Sequence, residues 1–249
     1  MTDQMLLPGI VGISTYVDYV YHLEMQTTAR SITGTRGPIN QLRTVTATLN
    51  FNLLVQNLRA GRKDDAEKQV EAACLALQRA GADFVVVTSG TTSTLVQRAR
   101  RRITIPFLDL ADACWAGGTL SGPVGLLCTK YAAAGGVFQE AAARHRTELL
   151  LPRPEIVEQV DDVIFGELVC GDVSEKCLRI FGDAIKELVD RGAATVILGN
   201  TDMTLAAKDL QDSTRVPLID AARLHARSAA RSALNGGLET HGRTKEPPE

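Results

Sequence analysis

Short apolar runs alternate with amphipathic stretches along this chain, and each apolar run ends in small polar residues. The run over 9–14 predicts a strand with its exit turn, and the apolar–polar alternation over 45–51 predicts a second strand. Positions 64–80 carry apolar residues at the helical period, which predicts a helix that ends at Gly81. A strand over 84–87 follows, so strands and helices alternate as in parallel sheets built from βαβ units.

The same reasoning extends to the rest of the chain. It predicts a loop over 31–38, a strand with its exit loop over 123–130, strands over 147–151 and 195–198, and helices over 17–29, 132–145, 156–168, 172–191 and 222–234. We expect the last of these helices to return and pack on the first half of the molecule.

The second half of the chain repeats the first. Residues 80–92 and 191–203 both contain a helix end, a glycine, a short apolar strand and a small polar loop. Matching segments that end in Asp109 and Asp220 follow them. Thr88 and Asn200 lie 112 positions apart, and the two aspartates lie 111 apart. A repeat of this length indicates two similar halves.

The predicted fold class is therefore α/β, with two similar lobes related by a pseudo-two-fold axis. Each lobe has a parallel sheet of the four-stranded type flanked by helices, and a cleft separates the lobes. Ligands of open α/β sheets bind at the carboxyl ends of the strands, so the polar loops line this cleft. We assign 1–113 and 221–234 to the first lobe and 114–220 to the second, and we predict a disordered tail over 235–249.

Composition excludes several classes of protein. The net charge is −2 and there is no basic stripe, which argues against nucleic acid as a partner. No apolar run approaches the roughly 20 residues of a membrane span, and the first residues lack the layout of a signal peptide, so we expect a cytoplasmic protein without a membrane partner. The five cysteines are odd in number and contain no CxxC spacing, which argues against disulfides and a zinc site.

Several segments together resemble the aspartate/glutamate racemase superfamily, which also includes hydantoin racemases, maleate isomerases and arylmalonate decarboxylases. The resemblance runs from Gly9 to about Ala233, and the order and spacing of the segments make it specific. The matching segments are 9–14, 80–87, 124–129, 194–199 with Thr201 and Asp202, and 216–220 with 223–226.

This resemblance implies a racemase-type site that works without pyridoxal phosphate or any other cofactor. Family racemases use two cysteines, one on each face of the substrate carbon. Here Thr88 stands where the first cysteine belongs, and Asn200 stands where the second belongs. A threonine hydroxyl needs an adjacent base to act, and an asparagine amide does not titrate usefully. The two-thiol mechanism is therefore impossible in this chain.

Three residues are the catalytic candidates, and each has a structural alternative. Thr88 is predicted to anchor or protonate a carbonyl compound, or else to cap the next helix. Asn200 is predicted to orient a carbonyl and stabilise an oxyanion, or else to act as an Asx cap. Asp202 is the remaining titratable group, and its pKa would rise in a dry cleft; the alternative is a solvated carboxylate at a helix N-terminus.

The candidate substrate-binding residues share a place in or beside the strand-end loops. They are Ser14, Asn50, Ser89, Gly90, Thr91, Thr92, Cys128, Thr129, Thr201 and His225. For His225, the resemblance also suggests a structural role.

Three hypotheses of function remain open. The first is a cofactor-independent isomerase, epimerase, cyclase or lyase that acts next to a carbonyl of a small or medium organic substrate, with a place in specialised biosynthesis. The second is an amino-acid racemase that uses non-cysteine acid/base groups. The third is a non-catalytic protein that binds a small ligand or a partner. The resemblance also implies a homodimer.

Overall fold

The computed structural model describes residues 5–34, 41–117, 120 and 122–238. The first sheet contains β1 (Pro8–Gly12), β2 (Val45–Thr48), β3 (Phe84–Val87) and β4 (Phe107–Leu108), and the second contains β5 (Val124–Leu127), β6 (Leu149–Leu150), β7 (Thr195–Leu198) and β8 (Leu218–Asp220). The helices are α1 (Thr15–Thr33), α2 (Phe51–Arg59), α3 (Lys63–Arg79), α4 (Gly90–Ser93), α5 (Gln97–Arg100), α6 (Leu110–Gly117), α7 (Lys130–Ala134), α8 (Val137–Arg144), α9 (Pro154–Gly166), α10 (Glu175–Asp190), α11 (Ala207–Ser213) and α12 (Ala221–Asn235). Two 3-10 helices cover Leu168–Cys170 and Thr201–Leu205.

The two sheets have the same topology, which confirms the predicted fold class. Their strand orders are β2-β1-β3-β4 and β6-β5-β7-β8, and every neighbouring pair is parallel. In each sheet the second and third strands in this order are buried along their whole length. Helices cover both faces, as such continuous apolar strands require. The polar loops follow the carboxyl ends of these four buried strands, β1, β3, β5 and β7.

In each lobe, the helix that follows the last strand packs in the core of the other lobe. Helix α12 follows β8 of the second sheet but packs against α1 and the first sheet through Ala222, Ala226 and Ala229. Helix α6 follows β4 of the first sheet, and its residues Leu110 and Cys114 lie in the core of the second. The proposed boundary between 113 and 114 therefore falls inside a helix of the second lobe's core. The two exchanged helices also pack against each other.

Several element boundaries differ from the predicted ones for local reasons. The predicted strand over 45–51 ends at Thr48, because the Asn50 side chain accepts a hydrogen bond from the Leu53 backbone and starts α2. The predicted helix over 132–145 is two helices, since Gly136 has a φ of 77° and interrupts it. The periodicity of apolar residues alone does not register the Asn50 cap or the Gly136 interruption, so it predicts a longer strand and a single longer helix.

The ends of α1 and α12 also differ from the predictions. Helix α1 continues to Thr33, inside the predicted loop, and ends at Gly34, whose φ is 67°. Helix α12 includes Asn235, so the predicted tail begins with a helical residue, and residues 239–249 lie outside the described part. Residues 35–38 of the predicted loop lie outside it as well. Within the described ranges, no helix is both long and apolar enough to cross a bilayer.

Candidate active site

Hydrogen bonds tie the strand-end loops of the two lobes together. The Ser14 hydroxyl, at the end of the β1 loop, donates to Asp202 Oδ1 of the second lobe at 3.1 Å. The Thr201 hydroxyl donates to the Thr88 carbonyl oxygen at 2.8 Å, in the opposite direction across the cleft. All four residues are buried, and Thr88 has no exposed surface. The structure thus brings these predicted residues into one closed site between the lobes.

A second group of predicted residues supports the same loops. The hydroxyls of Thr91 and Thr129, one from each lobe, lie 2.7 Å apart. Thr129 also caps α7, and the Ser89 hydroxyl accepts from the Thr92 backbone N–H at 3.1 Å. Ser89, rather than Thr88, therefore caps the following helix. The capping alternative for Thr88 is wrong.

At Gly90 the backbone of the first lobe lies very close to the backbone of the second. A Cβ atom at Gly90 would overlap the carbonyl oxygen of Gly199 in the second lobe. Only a residue without a side chain permits this approach of one backbone to another. Gly90 therefore has a positional role, and a direct contact with substrate remains a prediction.

Asp202 is a buried carboxyl group with an unusual pKa. It is 5% exposed, and burial raises its pKa from 3.8 to about 6. The Ser14 hydroxyl and the Asn200 amide favour the charged form, while the nearby charge of Asp18 disfavours it. The alternative of a solvated carboxylate at a helix terminus is wrong. Asp202 is poised to exchange a proton near neutral pH.

Replacement of Asp202 by asparagine should stabilise the fold at pH 7.5. A raised pKa means that the folded protein binds this proton more tightly than the unfolded chain, so Asp202 lowers stability as the pH rises from 3.8 to about 6. Above pH 6, the ionised Asp202 should lower the free energy of unfolding by an amount on the order of 2–3 kcal/mol. Urea unfolding at pH 4.5 and pH 7.5 measures it. A variant that is less stable than the wild type at pH 7.5 would contradict this assignment.

Asp18 completes the first-lobe half of the site, and sequence reasoning missed it. The Thr88 hydroxyl lies 2.8 Å from Asp18 Oδ1 and 3.1 Å from the Val11 carbonyl oxygen. When Asp18 is ionised, the hydroxyl donates to the carboxylate; when Asp18 is protonated, it can receive that proton and donate to Val11. Burial raises the pKa of Asp18, although the bonds from Thr88 and the Ile13 backbone oppose the shift. The adjacent base that Thr88 needs is thus present.

Asn200 does not act as the predicted cap. It precedes the 3-10 helix at 201–205, but its side chain makes no capping bond there. Its amide contacts the carboxyl group of Asp202, which leaves Oδ1 buried without a partner among the described residues. Thr92 Oγ1 is likewise buried and unpartnered in the described part. Buried polar atoms without partners are rare, so these two atoms are candidate ligand contacts. As oriented, Asn200 offers an acceptor, which fits a substrate N–H or O–H better than an oxyanion.

Asn50 and Cys128 are placed differently from the other loop residues. Asn50 is exposed and uses its side-chain oxygen to cap α2. Cys128 is 4% exposed, packs with Leu126 and Phe138, and has a pKa raised to about 12 by burial. This thiol stays protonated and is a core residue rather than an acid/base group.

His225 is engaged on both sides of its ring. Its Nε2 lies 2.9 Å from the Leu108 carbonyl oxygen, and its Nδ1 lies 2.8 Å from Tyr21 Oη. A carbonyl only accepts, so Nε2 carries the proton and Nδ1 accepts from the tyrosine. Burial lowers the pKa of His225 to about 4, and the ring is neutral. The predicted substrate contact is therefore wrong, and His225 joins α12 to α1 and β4.

The described ranges contain no group of three or more His, Cys, Asp or Glu side chains that could hold a metal ion. The polar chemistry described so far comes from hydroxyls, one amide and two carboxyl groups.

Comparisons with known proteins agree with this architecture. The sequence profile of the Asp/Glu/hydantoin racemases matches residues 9–229. Among solved structures, a candidate Asp/Glu racemase from Yersinia pestis superposes with a TM-score of 0.77 at 24% identity, covering 92% of this chain and 100% of that chain. An aspartate racemase homologue from Pyrococcus horikoshii gives 0.70 at 24% identity with the same coverage. Glutamate racemase from Francisella tularensis, in complex with D-glutamate, gives 0.66 at 16% identity, covering 99% and 86%. At these identities the structures establish the shared fold.

Proposed function

Because this chain belongs to the Asp/Glu/hydantoin racemase family, we propose that it is a cofactor-independent, isomerase-type enzyme that moves a proton at a carbon next to a carbonyl group. One observation carries the proposal. Two carboxyl groups with raised pKa values reach the same closed interlobe site, Asp202 from the second lobe and Asp18, through Thr88, from the first. Two-sided proton transfer needs acid/base groups on opposite faces of one carbon.

The first half of the reaction belongs to Asp202. Its ionised carboxylate takes the proton from the substrate carbon, and the electrons of the C–H bond move into the carbonyl group to form an enolate. Burial keeps the proton affinity of this carboxylate far above that of a solvated one, which favours the transfer. The Ser14 hydroxyl and the Asn200 amide hold the carboxylate in place.

The second half belongs to the pair formed by Asp18 and Thr88. This half requires the state in which the single proton shared by the two carboxyl groups lies on Asp18: Asp18 then gives it to the Thr88 oxygen as the Thr88 hydroxyl gives its own proton to the other face of the carbon. Before the transfer, the Thr88 hydroxyl accepts from protonated Asp18 and donates to the Val11 carbonyl oxygen; for the transfer it must turn from Val11 to the carbon, and afterwards it donates to ionised Asp18. Thr88 then needs no unusual pKa of its own, because it relays a proton without storing one.

The unpartnered atoms suggest how the substrate is oriented. We assign the Thr92 hydroxyl to the carbonyl oxygen, where a negative charge develops, and Asn200 Oδ1 to a donor on the substrate. This reverses the role predicted for Asn200 from the sequence. A buried acceptor also suits an amine or ammonium group, so an amino-acid racemase without thiols is the second candidate.

Substitution of Thr88 by valine should lower the rate at which deuterium enters from the Thr88 face of the substrate carbon about 100-fold, at the lower end of the range for general acid–base groups. Valine keeps the shape of the side chain but removes the relay to Asp18. Thr88→Ser, which keeps the hydroxyl, is the matched control and should remain within tenfold of the wild type by the same scale. The measurement is deuterium exchange at the substrate carbon. Equal loss in both variants would indicate a packing role instead.

The proposal as a whole is tested by incubation of the protein in D₂O with a panel of amino acids and neutral carbonyl compounds, followed by NMR. Loss of the proton signal next to a carbonyl, dependent on Asp202, supports the proposed enzyme, and exchange confined to amino acids favours the second candidate. Tight binding of a panel member with no exchange of any would instead favour the non-catalytic alternative.

A further inference from the structure

A second pocket, of about 330 Å³, lies in the second lobe between α11, the end of β8 and the start of α12. We call it the α11–α12 pocket. Leu198, Ala207 and Leu218 give it apolar walls. Within the described ranges, its lining includes none of the residues of the interlobe site. Ligand pockets begin at volumes of roughly 300 Å³, so this one has room for a small molecule.

Two cationic side chains line this pocket, Lys208 of α11 and Arg223 of α12. Lys208 is exposed and pairs with no acidic group in the described part of the chain. Arg223 Nη1 donates to Glu24 at 2.8 Å, and Arg223 Nε lies 3.3 Å from Asp220 Oδ2. These contacts use two of the five N–H donors of a guanidinium, so Arg223 keeps donors for a ligand.

The acidic residue of the pocket, Asp220, already has partners for both carboxylate oxygens. Oδ1 accepts from a backbone N–H of α12 at 3.1 Å, and Oδ2 accepts from the Thr204 hydroxyl at 2.6 Å. The charges of Asp220 and Glu24 are matched by two arginines of α12, because Arg227 Nε also donates to Glu24 at 2.6 Å. The positive charge of Lys208 is left over, and it matches a ligand with one negative charge.

The 3-10 helix at 201–205 joins this pocket to the interlobe site. Thr204, which bonds to Asp220 in the pocket, lies two residues after Asp202 in that helix. The helix packs against both α11 and α12. A ligand bonded to Lys208 and Arg223 would therefore connect the two helices that hold the helix of Asp202 in place.

We propose that the α11–α12 pocket binds a small apolar monocarboxylate, and that this ligand restrains the 3-10 helix that carries Asp202. The carboxylate lies between Lys208 and Arg223, and the apolar chain of the ligand lies against Leu198 and Leu218. A ligand that binds only the ordered helix opposes its opening by mass action. None of these contacts involves a reacting group, so the pocket is independent of the proposed function.

The test compares 3-methylbutanoate with its neutral isostere 3-methylbutanamide, using the full chain. Calorimetry or saturation-transfer NMR gives the two dissociation constants. The wild type should bind the acid about 5-fold more tightly than the amide, the upper value for an exposed ion pair. Nuclear Overhauser effects from the probe methyl groups to the methyl groups of Leu198 and Leu218 should place the acid in this pocket rather than in the interlobe site.

Substitutions at Lys208 test the charge directly. Lys208→Met keeps an extended side chain and should lower the affinity for the acid about 5-fold, while the affinity for the amide stays unchanged. Lys208→Arg should retain the preference for the acid. Lys186→Met is the matched control, because Lys186 is an exposed lysine of α10 that pairs with Asp190 outside the pocket. It should leave both affinities unchanged.

Amide hydrogen exchange tests the restraint on the 3-10 helix. With the acid at ten times its dissociation constant, the backbone amides of 201–205 should exchange up to about 11-fold more slowly. The amide probe at the same concentration should slow them no more than about 3-fold, because it binds 5-fold more weakly.

Five results would each overturn the proposal. They are equal affinity of the two probes for the wild type, no measurable binding of the acid, contacts that place the acid elsewhere, an equal effect of Lys208→Met and Lys186→Met on its affinity, and unchanged exchange at 201–205 with the acid bound.

Discussion

Asp202→Asn is expected to slow proton exchange next to the substrate carbonyl by about 10²- to 10⁴-fold, the contribution typical of a positioned general base. The asparagine keeps the size of the side chain and can still accept from the Ser14 hydroxyl, but it cannot take a proton. The same change should raise the free energy of unfolding at pH 7.5, because it removes a buried charge. Exchange followed by NMR in D₂O, with urea unfolding on the same samples, measures both effects.

The combination of lost activity and gained stability is what distinguishes a functional residue from a structural one. A structural carboxylate would lose stability when replaced, since its partners would be left unsatisfied. Asp212→Asn is the matched control, because Asp212 is an exposed aspartate of α11. We expect it to leave both quantities unchanged. Exchange by Asp202→Asn at more than a tenth of the wild-type rate would refute the assignment, given that roughly 10²-fold is the smallest expected effect.

Gly90→Ala is expected to destabilise the protein by about 1–3 kcal/mol, the usual effect of overpacking. The added methyl group would collide with the Gly199 carbonyl oxygen, and backbone cannot rotate away as a flexible side chain can. The loops that carry Thr88 and Asn200 would have to separate, so we also expect at least a tenfold loss of exchange from misplacement of the reacting groups. Thermal and urea unfolding measure the loss of stability, and the D₂O assay measures the loss of exchange.

Gly182→Ala is the matched control for the glycine prediction, and its expected effect has the opposite sign. Gly182 lies inside α10, and a Cβ there would meet nothing within 4 Å. Alanine should therefore stabilise the helix by about 0.5–1 kcal/mol through its higher helix propensity. If both variants were equally stable, the close approach of the two lobes at Gly90 would not constrain the fold.

The lobes and the positions of the site loops were predictable from the sequence, because the repeat and the buried strands carry strong signals. Strands over 84–87 and 195–198 have the predicted bounds, and each delivers its polar loop to the cleft. Their ends are defined by apolar side chains that must be buried. The expected return of the last helix to the first lobe was predictable for the same reason.

Asp18 and the burial of Asp202 were not predictable in this way. An aspartate near a helix start usually stabilises the helix dipole, so Asp18 alone carries no functional signal. Its role comes from contact with Thr88, 70 positions away, which depends on how β1 and β3 pair. Similarly, the pKa of Asp202 depends on the closure of one lobe on the other, and the exchange of α6 depends on packing between distant segments.

The central claim is that Asp202 gains and loses a proton near pH 6 as part of the reaction. The most direct measurement is a ¹³C NMR titration of protein labelled at the aspartate carboxyl carbons, with the Asp202 signal assigned by its absence in Asp202→Asn. We predict a transition at about pH 6 and a rate of proton exchange that rises through the same pH, because the ionised carboxylate is the base. An Asp202 signal that titrates near 3.8, with a rate that shows no change around pH 6, would contradict the account.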